Sequence, residues 1–179
     1  MGVIQDQILT CFESGQGMGY GDYPCFHQIV AEDSAQTVTA QLFDVVLPLA
    51  EDIAHRLESG IDVLDAGCGR GSALIALAER FPNSRFVGYD LREDAIAYAA
   101  RTANNAGLWN RRFEVRDSTG YNEKEAFDFI TSFDALHDQK NPQGLSRALY
   151  GALRQGGVCL MQDIGGSANL ENNLNFPMA

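Results

Sequence analysis

Basic residues are scarce in this sequence: 13 lysines and arginines stand against 24 aspartates and glutamates, and the formal net charge is -11. That balance argues against a nucleic-acid partner, because neutralising a phosphate backbone requires clustered lysine and arginine side chains. We therefore expect the partner to be a small-molecule substrate rather than DNA or RNA.

Long apolar runs are missing as well. No stretch of the sequence approaches the roughly 20 apolar residues that span a bilayer, and residues 1–10 lack the charged start and apolar core of a signal peptide. These two absences predict a cytoplasmic protein that makes no membrane contact.

Cysteine and histidine are too few and too scattered to indicate a metal site. The sequence has four cysteines and three histidines, and no two cysteines have the CxxC spacing. Such spacing favours neither a disulfide framework nor a structural zinc site, so we expect no bound metal.

The most informative feature that is present is a glycine-rich turn at residues 63–71, with the sequence VLDAGCGRG. Two apolar residues and an acid lead into glycines at alternate positions, Gly67, Gly69 and Gly71, and a helix-forming run follows from Ser72. Glycine permits positive φ and lets a ligand approach the main chain where a Cβ would intrude. The pattern predicts a strand, a tight turn and a helix that together border a nucleotide-sized pocket.

Strands and helices alternate after this turn. The sequence predicts five strands, at residues 61–65, 85–89, 112–115, 127–133 and 158–164. Helices are predicted between most of them, at 94–106 and 145–153 as well as directly after the glycine turn. Strands joined by helical crossovers form a parallel sheet with helices on both faces, so we predict an α/β fold.

The first 60 residues follow a different pattern. Apolar residues recur there at helical spacing, a glycine-rich loop at 15–21 interrupts them, and Asp33 with Gln36 resembles a capping box that would begin a helix. We predict that residues 1–60 form a helical extension or lid across the strand ends, and that residues 61–179 form a Rossmann-like cofactor-binding domain.

An acid stands at or just after the end of each of the first four predicted strands: Asp65, Asp90, Asp117 and Asp134. Ligands of open parallel sheets bind outside the carboxyl ends of the strands. Asp90 has the spacing from Gly71 at which a second-strand acid accepts hydrogen bonds from both hydroxyls of a ribose. Asp117, with Ser118 beside it, is placed to hold the exocyclic amine of a purine.

Two cofactors compete for this predicted site. A dinucleotide needs a third glycine at the position of Ser72, and Asp65 would repel its pyrophosphate. S-adenosylmethionine carries ammonium and sulfonium charges that suit an acidic turn, so the pattern D-x-G-x-G-x-G favours that cofactor. The candidate cofactor-binding residues are Tyr20, Asp65, Ala66, Gly67, Cys68, Gly69, Gly71, Asp90, Leu91, Asp117, Ser118, Phe133 and Asp134.

The same motifs resemble those of class I S-adenosylmethionine-dependent methyltransferases. Residues 63–71 match the first motif of that family, 89–90 its second, 116–118 its third and 127–130 its fourth-strand motif. More narrowly, residues 19–24, 81–88 and 133–138 are similar to a group of bacterial methyltransferases that carry an N-terminal winged-helix domain.

The resemblance implies a Rossmann-like sheet of seven strands that finishes with an antiparallel pair. The sequence stops shortly after Ile164, so it resembles the central catalytic part of such an enzyme, truncated at both ends and lacking the last two strands. The edge of the fifth strand would then be covered by a homodimer or by the N-terminal helices.

Methyl transfer depends on alignment more than on a protein nucleophile. His137 and Asp138 are the candidate catalytic residues: His137 lies just past the fourth strand, and histidine changes charge close to neutral pH, as a base requires. Asp134 or Asp138 would orient the ring. The alternative is that His137 only tethers the loop to the next helix. Tyr20 and Tyr23 would either close over the cofactor or pack in the core.

Three functions stay open at this point. The leading one is an S-adenosylmethionine-dependent methyltransferase acting on a small molecule. A non-catalytic S-adenosylmethionine-binding module, or a truncated and inactive methyltransferase, is the alternative, and a nicotinamide oxidoreductase is the third. A nucleic-acid methyltransferase is disfavoured because residues 132–135, SFDA, lack the Asn/Asp-Pro-Pro-aromatic run that holds a flipped base.

Overall fold

The protein is built on one parallel sheet. The computed structural model describes residues 4–117, 120–167 and 169–174, without the side chains of Tyr20, Phe26, His27, Asp33 and Leu170. The strands are β1 (Asp62–Ala66), β2 (Arg85–Asp90), β3 (Arg111–Val115), β4 (Phe127–Phe133) and β5 (Leu153–Gln162). They lie in the order β3-β2-β1-β4-β5, and each neighbouring pair is parallel. The predicted α/β fold with five parallel strands is confirmed.

Six α-helices accompany the sheet in the described ranges. They are α1 (Gln5–Ser14), α2 (Phe26–Thr37), α3 (Ile53–Ser59), α4 (Ser72–Arg80), α5 (Glu93–Asn105) and α6 (Pro142–Ala152). None of the helices in the described residues is long and apolar enough to cross a membrane.

The core is divided between the two faces of the sheet. Successive residues of a strand point to opposite faces, and β1 follows this rule: Val63 packs with Leu74 of α4, whereas Leu64 packs with Leu149 of α6. All four side chains are at most 1% exposed. Since both faces of the sheet are covered, the adjacent apolar residues Val63 and Leu64 are both buried, although they point to opposite faces.

The second half of the predicted N-terminal extension joins this core. Residues 39–49 continue from α2 as short 3-10 and π-helical turns. Leu42 from these turns and Leu57 from α3 are each at most 1% exposed and lie in the same cluster as Val63. This part of the predicted extension therefore packs directly against the sheet.

The predicted capping box was wrong. Asp33 and Gln36 lie inside α2, which already begins at Phe26. The residue before this helix, Cys25, has a left-handed φ of 59° and provides no side-chain cap. The true start of α2 therefore carries none of the sequence signals on which such a prediction depends.

Two boundaries near the end of the chain also differ from the prediction. The helix predicted at 145–153 begins at Pro142, because the Asn141 side chain accepts a hydrogen bond from the Gly144 N–H at 2.9 Å and proline is favoured in the first turn. β5 begins at Leu153 rather than at 158, because a register shift opposite Phe127–Phe129 lets the strand continue through Gly156, whose φ is 76°.

Ion pairs join the strands at their amino ends. Arg85 makes two hydrogen bonds to the Asp62 carboxylate, at 2.7 and 2.8 Å, and Arg154 bridges Asp62 and Asp128 at 2.9 and 2.6 Å. The hydrogen bond from Arg85 is the main cause of a lowered pKa at Asp62. These charges link β1, β2, β4 and β5 at the end of the sheet opposite the predicted site.

Candidate functional site

The predicted acids gather where the strand order reverses. β1 lies between β2 and β4, so the chain moves from β1 to one side of the sheet and later returns to the other. Ligands of open parallel sheets bind at such a switch point, outside the carboxyl ends of the strands. Asp65 in β1, Asp90 at the end of β2 and Asp134 just after β4 all lie at this edge.

The glycine turn after β1 is fixed to the end of β2. The N–H groups of Gly67 and Cys68 both donate to the carbonyl oxygen of Tyr89, at 2.8 and 3.0 Å. Gly67 and Gly69 have φ of 78° and 52°, a region that other residues rarely adopt. A Cβ on Gly67 would lie 2.5 Å from the Cβ of Ala135, whereas a Cβ on Gly69 would meet nothing within 4 Å. The turn is therefore packed against protein at Gly67 and open at Gly69.

The Asp90 carboxylate lies at this open turn. Its Oδ2 accepts a hydrogen bond from the Gly69 N–H at 2.8 Å, and its Oδ1 accepts one from the Arg92 N–H at 2.9 Å. Each carboxylate oxygen has a second lone pair. Asp90 is thus held in a fixed orientation and can still accept hydrogen bonds from a pair of hydroxyl groups, as the predicted ribose contact requires.

Asp65 is the most unusual acid of the site, because it is only 3% exposed. Its Oδ1 accepts a hydrogen bond from the Thr131 hydroxyl at 2.8 Å. Burial raises the pKa of Asp65 to about 7; the Thr131 hydrogen bond opposes this, and the negative charge of Asp90 adds to it. No ion pair involves Asp65 within the described part of the chain. A buried, unpaired carboxyl group is costly, and such groups are found at binding sites where a ligand supplies the opposite charge.

These residues fit a nucleoside with a cationic end, and they fit a pyrophosphate poorly. Asp65 and Asp90 make the turn acidic, and the arginine of the turn, Arg70, places its guanidinium 4.4 Å from the centre of the Tyr98 ring. The Tyr98 ring therefore covers one face of the Arg70 guanidinium. The open surface at Gly69 lies beside the Asp90 carboxylate, so a ligand reaching the backbone there meets negative charge.

Two of the predicted cofactor residues turn inward. Ala66 is 1% exposed and packs in the core on the α6 face. The Cys68 sulfur packs over Gly88, where a Cβ would lie 2.8 Å from it. Burial raises the pKa of the Cys68 thiol, and the neighbouring carboxylates of Asp65 and Asp90 raise it further. Both residues therefore shape the turn through their main chain.

The other predicted cofactor residues are distributed around the same edge. Leu91 and Asp117 are exposed, Phe133 and Asp134 are half-buried, and Gly71 is buried against Phe113. Ser118 and the Tyr20 side chain lie outside the described residues. Their predicted contacts stay predictions.

The loop between α1 and α2, residues 15–25, approaches the site beside Asp90. A Cβ on Gly21 would lie 3.4 Å from a guanidinium nitrogen of Arg92, two residues after Asp90. Tyr23 of this loop lines, with Cys11 and Met18, a cavity of about 330 Å³ beside α1. Gly21 thus lies close to the residue that donates its N–H to Asp90, and the function of this loop as a lid stays a prediction.

Sequence reasoning missed a cluster that holds the segment before Asp117. The buried Tyr89 hydroxyl donates to Glu123 Oε1 at 3.0 Å, and Arg116 pairs with Glu123 while its guanidinium lies 4.6 Å from the centre of the Tyr89 ring. The Arg116 N–H also donates to the carbonyl oxygen of Asp90 at 2.8 Å. The cluster fixes the end of β3 against β2. No local spacing signals it, because its members come from three separate segments.

The candidate base His137 contacts a carboxylate that the sequence did not identify. His137 Nδ1 lies 2.6 Å from Asp163 Oδ1, whereas His137 Nε2 lies 3.4 Å from Asp138 Oδ1. Asp163 directly follows β5, so it occupies the same kind of strand-end position as the other acids of the site. The fifth strand was predicted to run to Ile164, and this boundary error placed Asp163 inside a strand.

The histidine and its neighbours do not form a metal centre. Across residues 4–117, 120–167 and 169–174, no three His, Cys, Asp or Glu side chains are grouped so that they could hold a metal ion. The described residues of the candidate site are those of the glycine turn, the acids at the strand ends and the His137–Asp163 pair.

Comparison with known proteins points to one family. The family model described as "Methyltransferase domain" matches residues 57–176. Trans-aconitate 2-methyltransferase of Variovorax paradoxus is 36% identical over 101 residues, which cover 56% of this chain and 37% of that protein. (S)-coclaurine N-methyltransferase of Papaver somniferum is 25% identical over 109 residues, which cover 61% of this chain and 31% of that protein.

A solved structure shows the same kind of fold. PKMT2 from Rickettsia typhi, in complex with AdoHcy (S-adenosylhomocysteine), has a TM-score of 0.54 and 27% sequence identity; the match covers 59% of this chain and 21% of that chain. The chain spans 37% and 31% of the lengths of the two curated relatives.

Proposed function

The chain belongs to the methyltransferase-domain family, and from this premise we propose that it transfers a methyl group from S-adenosylmethionine to a small-molecule acceptor. The observation that carries the proposal is the acidic turn that is open at Gly69 and flanked by the buried Asp65 and the oriented Asp90. A nucleoside with a positive end and no phosphate is the ligand that this combination suits best.

Each acid has a separate role toward the cofactor in this proposal. S-adenosylmethionine supplies a methyl carbon that is activated by a sulfonium. Asp90 accepts the ribose hydroxyls, Asp65 balances the positive charge of the methionine end, and Asp117 receives the exocyclic amine of the adenine. Gly69 lets the ligand contact the main chain, because no side chain stands in its path.

Toward the methyl acceptor, the chain contributes a base and holds the acceptor in line with the methyl group. Methyl transfer is an in-line displacement, so holding the acceptor in line with the methyl group contributes strongly to the rate. In this proposal His137, at the carboxyl end of β4, removes the proton from the acceptor. The acceptor class stays open: one relative is named for trans-aconitate and the other for coclaurine.

The narrower resemblance is also a proposal. Residues 19–24, 81–88 and 133–138 are similar to bacterial methyltransferases that carry an N-terminal winged-helix domain, and we propose that this chain is one of that group. The net charge of -11 supports a neutral or cationic small molecule rather than a nucleic acid. The cytoplasmic location predicted from the sequence is likewise a proposal, and imaging of a tagged chain in cells tests it.

A calorimetric titration tests the cofactor. We expect S-adenosylhomocysteine to bind at least tenfold more tightly than NAD, because the Asp65 carboxyl group can ionise to balance an ammonium but has nothing to offer a pyrophosphate, and the Asp90 carboxylate repels one. Tighter binding of NAD would favour the oxidoreductase and overturn the proposal. If S-adenosylhomocysteine binds, incubation with S-adenosylmethionine and a panel of phenols, amines and carboxylic acids follows. A methylated product supports the proposed methyltransferase activity. Binding without any product supports a non-catalytic module or an inactive methyltransferase.

We also propose a homodimer, because β5 has a strand on only one side in the described part of the chain. β5 is an outer strand of the sheet, and an outer strand presents unpaired N–H and C=O groups that a second chain can cover. We expect light scattering to show a mass that rises toward twice 19.5 kDa with concentration. A mass that stays at the monomer value over the whole range would remove the homodimer.

A further inference from the structure

Asp163 joins the end of β5 to the loop that carries His137. Its Oδ2 accepts hydrogen bonds from the N–H groups of Leu136 and His137, at 3.2 and 3.1 Å. Its Oδ1 lies 2.6 Å from His137 Nδ1 and also accepts the Ile164 N–H at 2.8 Å. One carboxylate therefore holds both the main chain and the ring of the candidate base.

This geometry determines which ring nitrogen of His137 carries the proton. An ionised carboxylate only accepts hydrogen bonds. Burial alone would raise the pKa of Asp163, but the hydrogen bonds from Ile164 and His137 outweigh it and lower the pKa, so the carboxylate is ionised at neutral pH. Nδ1 must then be the protonated nitrogen, and the lone pair of the neutral ring is on Nε2.

Nε2 is also the more suitable nitrogen for receiving a proton. It lies 3.4 Å from Asp138 Oδ1, too far for a strong hydrogen bond but close enough for that carboxylate to stabilise the imidazolium once it forms. The His137 side chain is 37% exposed, so an acceptor can reach it.

We propose that Asp163 is a positioning residue that fixes His137 in the tautomer with an unprotonated Nε2 and keeps the ring where an acceptor can reach this nitrogen. The inference rests on the proposed function, because it gives His137 the role of the base. It goes further by assigning a role to an acid outside the motifs that carry the family resemblance.

The substitution Asp163→Asn tests the assignment. With its oxygen on the Leu136 and His137 N–H groups, asparagine presents its NH2 group to Nδ1 and gives up only the hydrogen bond from the Ile164 N–H; Nδ1 must then accept, and the proton of the neutral ring moves to Nε2. We expect kcat to fall at least tenfold, with KM and the affinity for S-adenosylhomocysteine changed less than twofold. Nitrogen NMR of the imidazole in the ligand-free protein should show protonation moving from Nδ1 to Nε2; the protein has three histidines, and His137→Gln identifies the signal.

Asp138→Asn is the matched control, since it alters a carboxylate near the same ring but leaves Nδ1 and the loop contacts in place. We expect it to leave the tautomer unchanged. If Asp163→Asn leaves the tautomer of His137 unchanged, or leaves kcat unchanged, the positioning role is wrong. The tautomer is measured without cofactor or acceptor, so failure of the methyltransferase proposal in the titration would be distinguished from failure of this one.

Discussion

Replacing Gly67 by alanine is expected to weaken the binding of S-adenosylhomocysteine at least ~100-fold. The added Cβ would lie 2.5 Å from the Cβ of Ala135, a distance at which one of the two backbones must move. Gly67 also has a φ of 78°, and the left-handed region costs a non-glycine residue roughly 1–2 kcal/mol. Because the Gly67 N–H is bonded to Tyr89, movement of the turn also displaces it from the end of β2.

Variants of two further glycines show whether Gly67→Ala weakens binding by changing the site or by destabilising the fold. Gly69→Ala meets open space, so it should weaken binding while costing only the roughly 1–2 kcal/mol of its positive φ. Gly107→Ala has a φ of 70°, equally open surroundings and a position at the end of α5, so it should cost similar stability and leave binding unchanged. Urea unfolding and calorimetry of the three variants provide the comparison. Wild-type affinity in Gly67→Ala would show that the turn does not hold the ligand.

Much of the fold and of the cofactor side of the site could be predicted from the sequence, because both depend on local patterns. Each of these signals lies within a short segment of the sequence: the apolar residues of β1, the glycines at 67 and 69, and the acid at 90. The structure brings these segments together. The helical crossovers between the strands predicted the parallel sheet, which the structure confirms.

The contacts that could not be predicted connect distant segments. Asp163 and His137 are 26 residues apart in the chain, and Arg116 meets Tyr89 across 27 residues. Such pairs depend on the register of neighbouring strands, which a single sequence specifies only through its overall burial pattern. The capping box predicted at Asp33 and Gln36 failed for a different reason: both residues lie inside α2, so a spacing that is typical of a helix start occurs in the middle of a helix.

The second large effect comes from Asp65, which is buried without a paired cation and has a pKa of about 7 instead of 3.8. An acid with a raised pKa in the folded state binds protons more readily there than in the unfolded chain. Its contribution to the unfolding free energy is therefore fully present below about pH 4 and is lost as the pH rises to about 7. The complete loss amounts to roughly 4 kcal/mol, since one pKa unit corresponds to about 1.4 kcal/mol.

Asp65→Asn should remove this pH-dependent loss of unfolding free energy, and it keeps an oxygen that can accept the hydrogen bond from the Thr131 hydroxyl. Between about pH 5.5 and pH 8, the unfolding free energy of the ligand-free wild type should fall by roughly 2 kcal/mol more than that of the variant, measured by urea denaturation. Asp44→Asn, at an exposed acid of the N-terminal turns, should follow the wild type. Equal pH dependence in wild type and Asp65→Asn would contradict the assignment.

Asp65→Asn should stabilise the folded protein above about pH 5 but weaken the binding of S-adenosylhomocysteine. In the proposed complex the ammonium of S-adenosylhomocysteine is balanced by the Asp65 carboxylate, so binding must ionise Asp65 and release a proton below about pH 7. Wild-type affinity should therefore rise roughly tenfold between pH 6 and pH 8, and that of Asp65→Asn should be weaker and nearly constant. Calorimetry in two buffers of different ionisation enthalpy measures the released proton. A variant that is more stable but binds less well would mean that Asp65 is kept for the ligand at the expense of the fold; a variant that binds as tightly as the wild type would mean that the ammonium lies elsewhere.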